Sequence, residues 1–214
     1  DMRSVMVVET GNYRIVRFPL TADGVGARAA ALEALRTEIG DCQRCPLHRG
    51  RTELVFGFGN PAARLMFIAD GPREAEDQIG VPFLGRSGET LGRMVRAMGL
   101  RRTEVYLCYL VKCFSPDEHA EAGLDACHGF LEQQVAIVRP EVIIAFGDLA
   151  ARRLTGQNAT LPHLRGKWFR FGSAEVLPTF HPDAFEQNRD SKRLVWGDLR
   201  LVMKRLGLKS QRER

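Results

Sequence analysis

The chain has 214 residues, 44% of them hydrophobic and 27% charged, with a formal net charge of +5. That size and balance fit one soluble domain with a full core. The sequence has no apolar run of about 18 residues, which argues against a membrane-spanning helix, and the modest positive charge suits a polyanionic partner without requiring one. In chain order, Met2 to Val8 and Tyr13 to Phe18 read as two short strands around the turn Gly11-Asn12. They sit in an N-terminal extension covering residues 1–30. The start DMRSVMVVETGNY lacks the basic region, apolar block and cleavage site of a secretory leader, so a cytoplasmic setting is expected. Leu32, Leu35 and Ile39 then recur at helical intervals before Gly40. Arg64 to Asp70 is a continuous apolar run that ends on a carboxylate, the pattern of a buried strand. Ser87, a preferred N-cap residue, opens a helix to Met98 with Leu91, Met94, Val95 and Met98 on one face.

A strand over Glu104 to Lys112, a helix over Leu124 to Val138 and a strand over Glu141 to Phe146 follow. Asp148 to Leu154 is a short helix, Lys167 to Phe171 and Ala174 to Pro178 read as a hairpin, and Ser191 to Leu206 is the last helix. Strands alternating with helices predict an α/β fold, a mainly parallel sheet covered on both faces. Ligands of such sheets bind beyond the carboxyl ends of the strands. Asp70 stands at one such end, followed by Gly71-Pro72 and three acidic residues, Glu74, Glu76 and Asp77, which read as a solvated face. Residues 208–214 form a basic tail.

The five cysteines are an odd number, and without a secretory leader they read as buried thiols or metal ligands. Cys42-Gln43-Arg44-Cys45 is a CxxC pair, while Cys113 and Cys127 lie in polar surroundings. Cys108 sits inside the apolar run VYLCYLV and reads as a packed thiol. Four candidate ligands are enough for a tetrathiolate site. One close pair plus two distant cysteines suits an iron–sulfur cluster better than a zinc ribbon, although spacing alone does not choose the metal. A redox dithiol at Cys42 and Cys45 is a third reading, one that leaves Cys113 and Cys127 without a role.

These elements occur in a familiar order. Cys42-x-x-Cys45 precedes a strand ending in a Gly-Pro acidic turn, then GVPFLGRSG at 80–88, VKC at 111–113, Cys127 and PTFHP at 178–182. The set resembles the iron–sulfur uracil-DNA glycosylases, family four of the uracil-DNA glycosylase superfamily, over roughly residues 30–206. The resemblance implies a three-layer α/β/α domain over residues 31–207 with a mainly parallel four-stranded sheet. It also implies a [4Fe-4S] cluster on Cys42, Cys45, Cys113 and Cys127, and a DNA substrate, single- or double-stranded, with its base flipped out. A monomer is expected. By the same resemblance Asp70 is the catalytic carboxylate and His181 the donor to the departing uracil. Phe83 is the ring on which the flipped base stacks, with Gly71 and the residue at 109 around the base edge. Ser87 and Gly88 open a helix whose amides hold a phosphate. Each also has a plain structural alternative, with Asp70 as a turn cap, Phe83 as core and His181 as a hydrogen-bonded structural histidine.

Several positions depart from the family pattern. Motif one commonly reads Gly-Glu-x-Pro-Gly, whereas this chain has Ala69-Asp70-Gly71-Pro72-Arg73, a shorter acid and a long cation for a small residue. Tyr109 stands where an asparagine usually reads the uracil edge, and it lacks the amide's paired donor and acceptor. After His181-Pro182 the family carries serine and a leucine wedge. Here Asp183 follows, Phe185 is the wedge candidate, and Glu186 faces phosphates unfavourably. Two functions are therefore expected in order: a glycosylase for uracil or another deaminated base, and an iron–sulfur DNA-binding protein of little activity on the same scaffold.

Overall fold

The structure is a computed structural model that describes residues 2–9, 12–19, 24–116, 119–184 and 189–210. Near the N-terminus β1 (Met2–Glu9) and β2 (Asn12–Pro19) pair antiparallel as a hairpin of their own. The main sheet is built from β3 (Phe58–Gly59), β4 (Leu65–Ala69), β5 (Tyr106–Tyr109), β6 (Val142–Phe146), β7 (Phe169–Phe171) and β8 (Ala174–Thr179). Their order across the sheet is β3-β5-β4-β6-β8-β7. β5, β4, β6 and β8 run parallel, while β3 and β7 pair antiparallel at the two edges.

The sheet is mainly parallel as expected, but it has six strands and not four. The two extra strands are β3, only two residues long and too short to carry a hydropathy period, and β7, the first arm of the expected hairpin, which joins the sheet. Each covers the open edge of a parallel strand. The hairpin expected before Pro178 is thus also the sheet's edge, formed by β7 and β8.

The helices are α1 (Val25–Ile39), α2 (Glu74–Ile79), α3 (Gly85–Ala97), α4 (Leu124–Val138), α5 (Asp148–Thr155), α6 (Leu161–Leu164) and α7 (Arg189–Leu206). All five residues of β4 are buried because side chains alternate between two covered faces. Leu65, Phe67 and Ala69 pack with Leu91 and Val95 of α3 and with Val195, Leu199 and Val202 of α7. Met66 and Ile68 pack on the other side with Leu32 and Leu35 of α1, Leu131 and Val135 of α4, and Leu154 of α5.

The chain leaves β4 for β5 on one side and later returns to β6 on the other. Strand order therefore reverses at β4, and a crevice opens between the carboxyl ends of β4 and β6, the place where such sheets bind ligands. Asp70 is the first residue beyond β4 on this rim.

Candidate active site

Asp70 Oδ1 accepts a 2.8 Å hydrogen bond from the backbone N–H of Ala150, in the first turn of α5. That helix starts at Gly147, whose φ of 91° is glycine territory and which offers no side-chain cap. The carboxylate of a neighbouring strand thus does the capping, so Asp70 has a structural role along with its place in the crevice, as the cap of α5 and not of its own turn. Burial pushes the Asp70 carboxyl above the ordinary aspartate range, against the Ala150 hydrogen bond and the nearby His181, and Glu121 and Asp148 add to the rise. Oδ2 has no hydrogen-bond donor among the described residues.

Four side chains close around this rim. Phe83 is buried, with a φ of 57° that a bulky residue adopts only under constraint. Its ring lies 5.0 Å from Tyr109 and near-parallel to it, 6.3 Å from His181 at 19°, and edge-on to Phe146 at 6.1 Å. The Tyr109 hydroxyl accepts a 2.9 Å bond from the Phe83 N–H, which fixes the unusual backbone. Arg102 holds the same turn from behind, donating to the carbonyls of Pro82 and Phe83 at 3.0 and 2.8 Å. Its desolvated guanidinium is pulled down to about 10. Gly88 completes the turn: a Cβ there would stand 2.0 Å from the Phe83 carbonyl oxygen, so only glycine fits.

His181 follows β8, and its Nδ1 lies 3.3 Å from Asp183 Oδ2. Arg73 pairs with the same carboxylate oxygen. The His181 bond holds the Asp183 carboxyl below its usual range against a contrary effect of burial, with the His181 charge and then the Arg73 charge adding to it. The two residues that change the charge of motifs one and two are therefore ion-paired across the mouth of the crevice. A groove beside them is lined by Arg73, Leu84, Arg86, Ser87 and Asp183.

The acidic turn overturns an expectation. Glu76 and Asp77 are 2% and 3% exposed, not solvated. The Glu76 carboxylate accepts the N–H groups of Arg73 at 2.9 Å and Leu84 at 3.0 Å, tying motif one to the Phe83 turn. Asp77 takes the Thr52 N–H with both oxygens, at 3.0 and 2.9 Å. Carboxylates on backbone donors are strong partners, so burial is tolerated. Glu76→Ala would strand the buried Leu84 N–H and the part-buried Arg73 N–H. The expected loss is about 3 kcal/mol in urea unfolding, with a smaller loss for Glu76→Gln; an unmoved midpoint would show that these bonds do not hold the turn.

Ser87 is a second correction. α3 begins at Gly85, two residues before the expected cap, because the turn at Phe83 already aims the chain into the helix. The Ser87 hydroxyl donates to the Leu84 carbonyl at 3.3 Å. Gly71 lies so near Val111 that a Cβ there would stand 2.8 Å from Val111 Cγ2. Phe185 and Glu186 lie outside the described residues. Phe146 was missed by sequence reasoning, although it ends a buried strand as Ala69 does and is followed by Gly-Asp.

Cys113, Cys127 and the half-buried Cys45 share a small apolar cluster with Leu47 and Val111. Cys42 packs nearby, close enough to act electrostatically on Cys113. Arg51 donates to Cys113 Sγ at 3.2 Å and to the Cys42 carbonyl at 3.0 Å, and Arg44 approaches Cys42 Sγ at 3.5 Å. Cys108 is buried in β5 among the core residues, apart from this group, as expected. All five thiols are free, and among the described residues no three His, Cys, Asp or Glu side chains form a group that would hold a metal ion.

Fold and site together define the class: an α/β protein with a carboxylate–imidazole crevice at the carboxyl ends of its parallel strands. The family model of the uracil DNA glycosylase superfamily matches residues 56–200, and the chain belongs to that superfamily. Its relatives include the type-4 uracil-DNA glycosylase of Thermotoga maritima, 37% identical over 180 residues, which span 80% of this chain and 93% of the relative. The type-4 uracil-DNA glycosylase of Sulfurisphaera tokodaii is 31% identical over 183 residues, 80% of this chain and 83% of the relative. That of Saccharolobus solfataricus is 32% identical over 189 residues, 83% and 88%. Among the described residues no helix is long and apolar enough to cross a membrane.

Proposed function

We infer that the protein is a DNA glycosylase that hydrolyses the N-glycosidic bond of uracil in DNA, opening base excision repair. The observation that carries this reading is the meeting of Asp70, His181 and Phe83 at one strand-order reversal, in a chain with close type-4 relatives. As the bond from C1′ to the base nitrogen breaks, its electron pair leaves with uracil and positive charge builds on the sugar. Asp70 stabilises that charge and orients the water that adds to C1′, then takes the water's proton. The His181 ring donates to the uracil oxygen that gains charge. Phe83, clamped by Tyr109, Arg102 and Glu76, is the fixed platform on which the flipped base stacks, a contact worth about 1–3 kcal/mol. The groove at Ser87 and Arg73 follows the phosphates, with Phe185 as the wedge. Residues 31–207 form the catalytic unit, flanked by the N-terminal extension and the basic tail.

A second reading rests on Tyr109, whose ring lies against the face of Phe83 and carries no amide edge. On that reading the protein binds DNA and releases little uracil. Single-turnover release from DNA carrying uracil, hypoxanthine, xanthine or a thymine mismatch tests both. Uracil release supports the first, and salt-dependent binding without release of any base supports the second.

The cofactor inferred is a [4Fe-4S] cluster on Cys42, Cys45, Cys113 and Cys127. Four thiols with cationic groups of Arg44 and Arg51 on the sulfurs suit an anionic centre. Held by these cysteines, such a cluster would tie together the segment before β4, the loop after β5 and α4, and would take no part in the bond cleavage derived above. Freshly purified protein is expected to be brown, and Cys42→Ser to bleach it. A colourless, zinc-containing wild type would replace this cofactor with the zinc alternative.

A further inference from the structure

A neutral imidazole carries one ring proton, and two arrangements compete for the His181 nitrogen turned toward Asp183. The Asp183 backbone N–H donates to Nδ1 at 3.3 Å, and the carboxylate oxygen Oδ2 of the same residue also lies 3.3 Å from Nδ1. The amide needs a lone pair on Nδ1, whereas the carboxylate needs a proton there. The His181 and Asp183 side chains are only 23% and 26% exposed, so water screens the pull of the carboxylate poorly. Two further charges act here. Arg73 pairs with Asp183 Oδ2, and Asp70 feels the His181 ring together with Glu121 and Asp148. The Phe83 and Phe146 rings flank the imidazole and offer it no polar atom.

On the reading above, the His181 ring donates to the departing uracil. Nδ1 faces Asp183, so the donor is Nε2, and a neutral ring has a proton at Nε2 only when Nδ1 has none. An unopposed carboxylate beside Nδ1 draws that proton to the wrong nitrogen. Arg73 opposes it, because the guanidinium sits on the same oxygen and leaves the Asp183 amide as the partner of Nδ1. Both residues depart from the family pattern, in motifs far apart along the chain, and each departure makes sense beside the other.

We propose that Arg73 is a positioning residue that acts through Asp183, its charge on Oδ2 holding the His181 proton at Nε2. In this role it does not meet the reacting atoms. The purpose of the device rests on the glycosylase reading, while the place of the proton is a property of the free protein.

The test compares wild type, Arg73→Gln and the double variant Arg73→Gln/Asp183→Ser. Nitrogen NMR of the histidine rings in alkaline buffer, with His181 assigned through His181→Gln, reads which nitrogen holds the proton. It is expected on Nε2 in wild type, on Nδ1 in Arg73→Gln, and on Nε2 again in the double variant. Single-turnover uracil release should fall about 10²-fold in Arg73→Gln, the scale of one lost donor to a developing oxyanion, and regain most of that loss in the double variant. A phosphate contact of Arg73 is missing from both variants alike and gives no such recovery. A wild-type proton on Nδ1, or a ring spectrum unchanged in Arg73→Gln, overturns the proposal. Release in the double variant no faster than in Arg73→Gln overturns its link to the chemistry. A wild type that releases no base sinks the glycosylase reading instead, and the ring spectra then decide the proton's place by themselves.

Discussion

Asp70→Asn is expected to lower single-turnover uracil release by about 10³-fold while leaving the fold intact. Asparagine keeps the size of the side chain, and its Oδ1 still accepts the Ala150 N–H that now binds the carboxylate. What disappears is the negative charge opposite the sugar and the acceptor for the water's proton. The pH dependence gives a second reading. Asp70 acts ionised, and burial raises its folded-state pKa. Activity is therefore lost on acidification through a pH above the ordinary aspartate range, and the asparagine variant lacks that limb. A variant that releases uracil within tenfold of wild type would remove Asp70 from the chemistry and leave it as the cap of α5.

Tyr109→Asn is expected to raise uracil release by about 10²-fold, in line with what a matched polar edge adds to discrimination. The Tyr109 ring lies 5.0 Å from Phe83 and its hydroxyl is committed to the Phe83 amide, so neither end of the side chain presents a paired donor and acceptor. An asparagine there restores the amide and vacates the ring's volume in the crevice. Stability falls in exchange. Deleting a buried ring and freeing the Phe83 N–H costs about 3 kcal/mol, visible as a lower melting temperature. A folded, cluster-bearing variant with no gain in excision would place the block in the loop after His181 and not at Tyr109.

The parts that could be read from sequence share a physical property: they are local. The apolar run ending at Asp70, the helix face of Leu91, Met94 and Val95, and the CxxC pair each announce themselves within a few residues. So does His181-Pro182, by motif. The parts that escaped depend on partners far along the chain. Glu76 and Asp77 look like solvated acids because their partners are backbone N–H groups of Leu84 and Thr52, which have no sequence signature. The ion pair of Arg73 with Asp183 joins two departures that seemed unrelated. The two-residue edge strand β3 falls below any detectable period. At Ser87 a good capping residue lost its position to the turn set by Phe83 and Gly88.

The reversal of strand order at β4 has a consequence for how activity arises during folding. Asp70 follows β4, Tyr109 ends β5, Phe146 ends β6 and His181 follows β8, and parallel neighbours meet only after long crossovers close. Of these four strands β8 comes last in chain order, and the imidazole travels with it. A chain in which β8 has not yet docked holds Asp70 and the rings of Tyr109 and Phe146 at the rim but lacks the imidazole. On the proposed reading, the site is therefore complete only when the last of these four strands has joined the sheet.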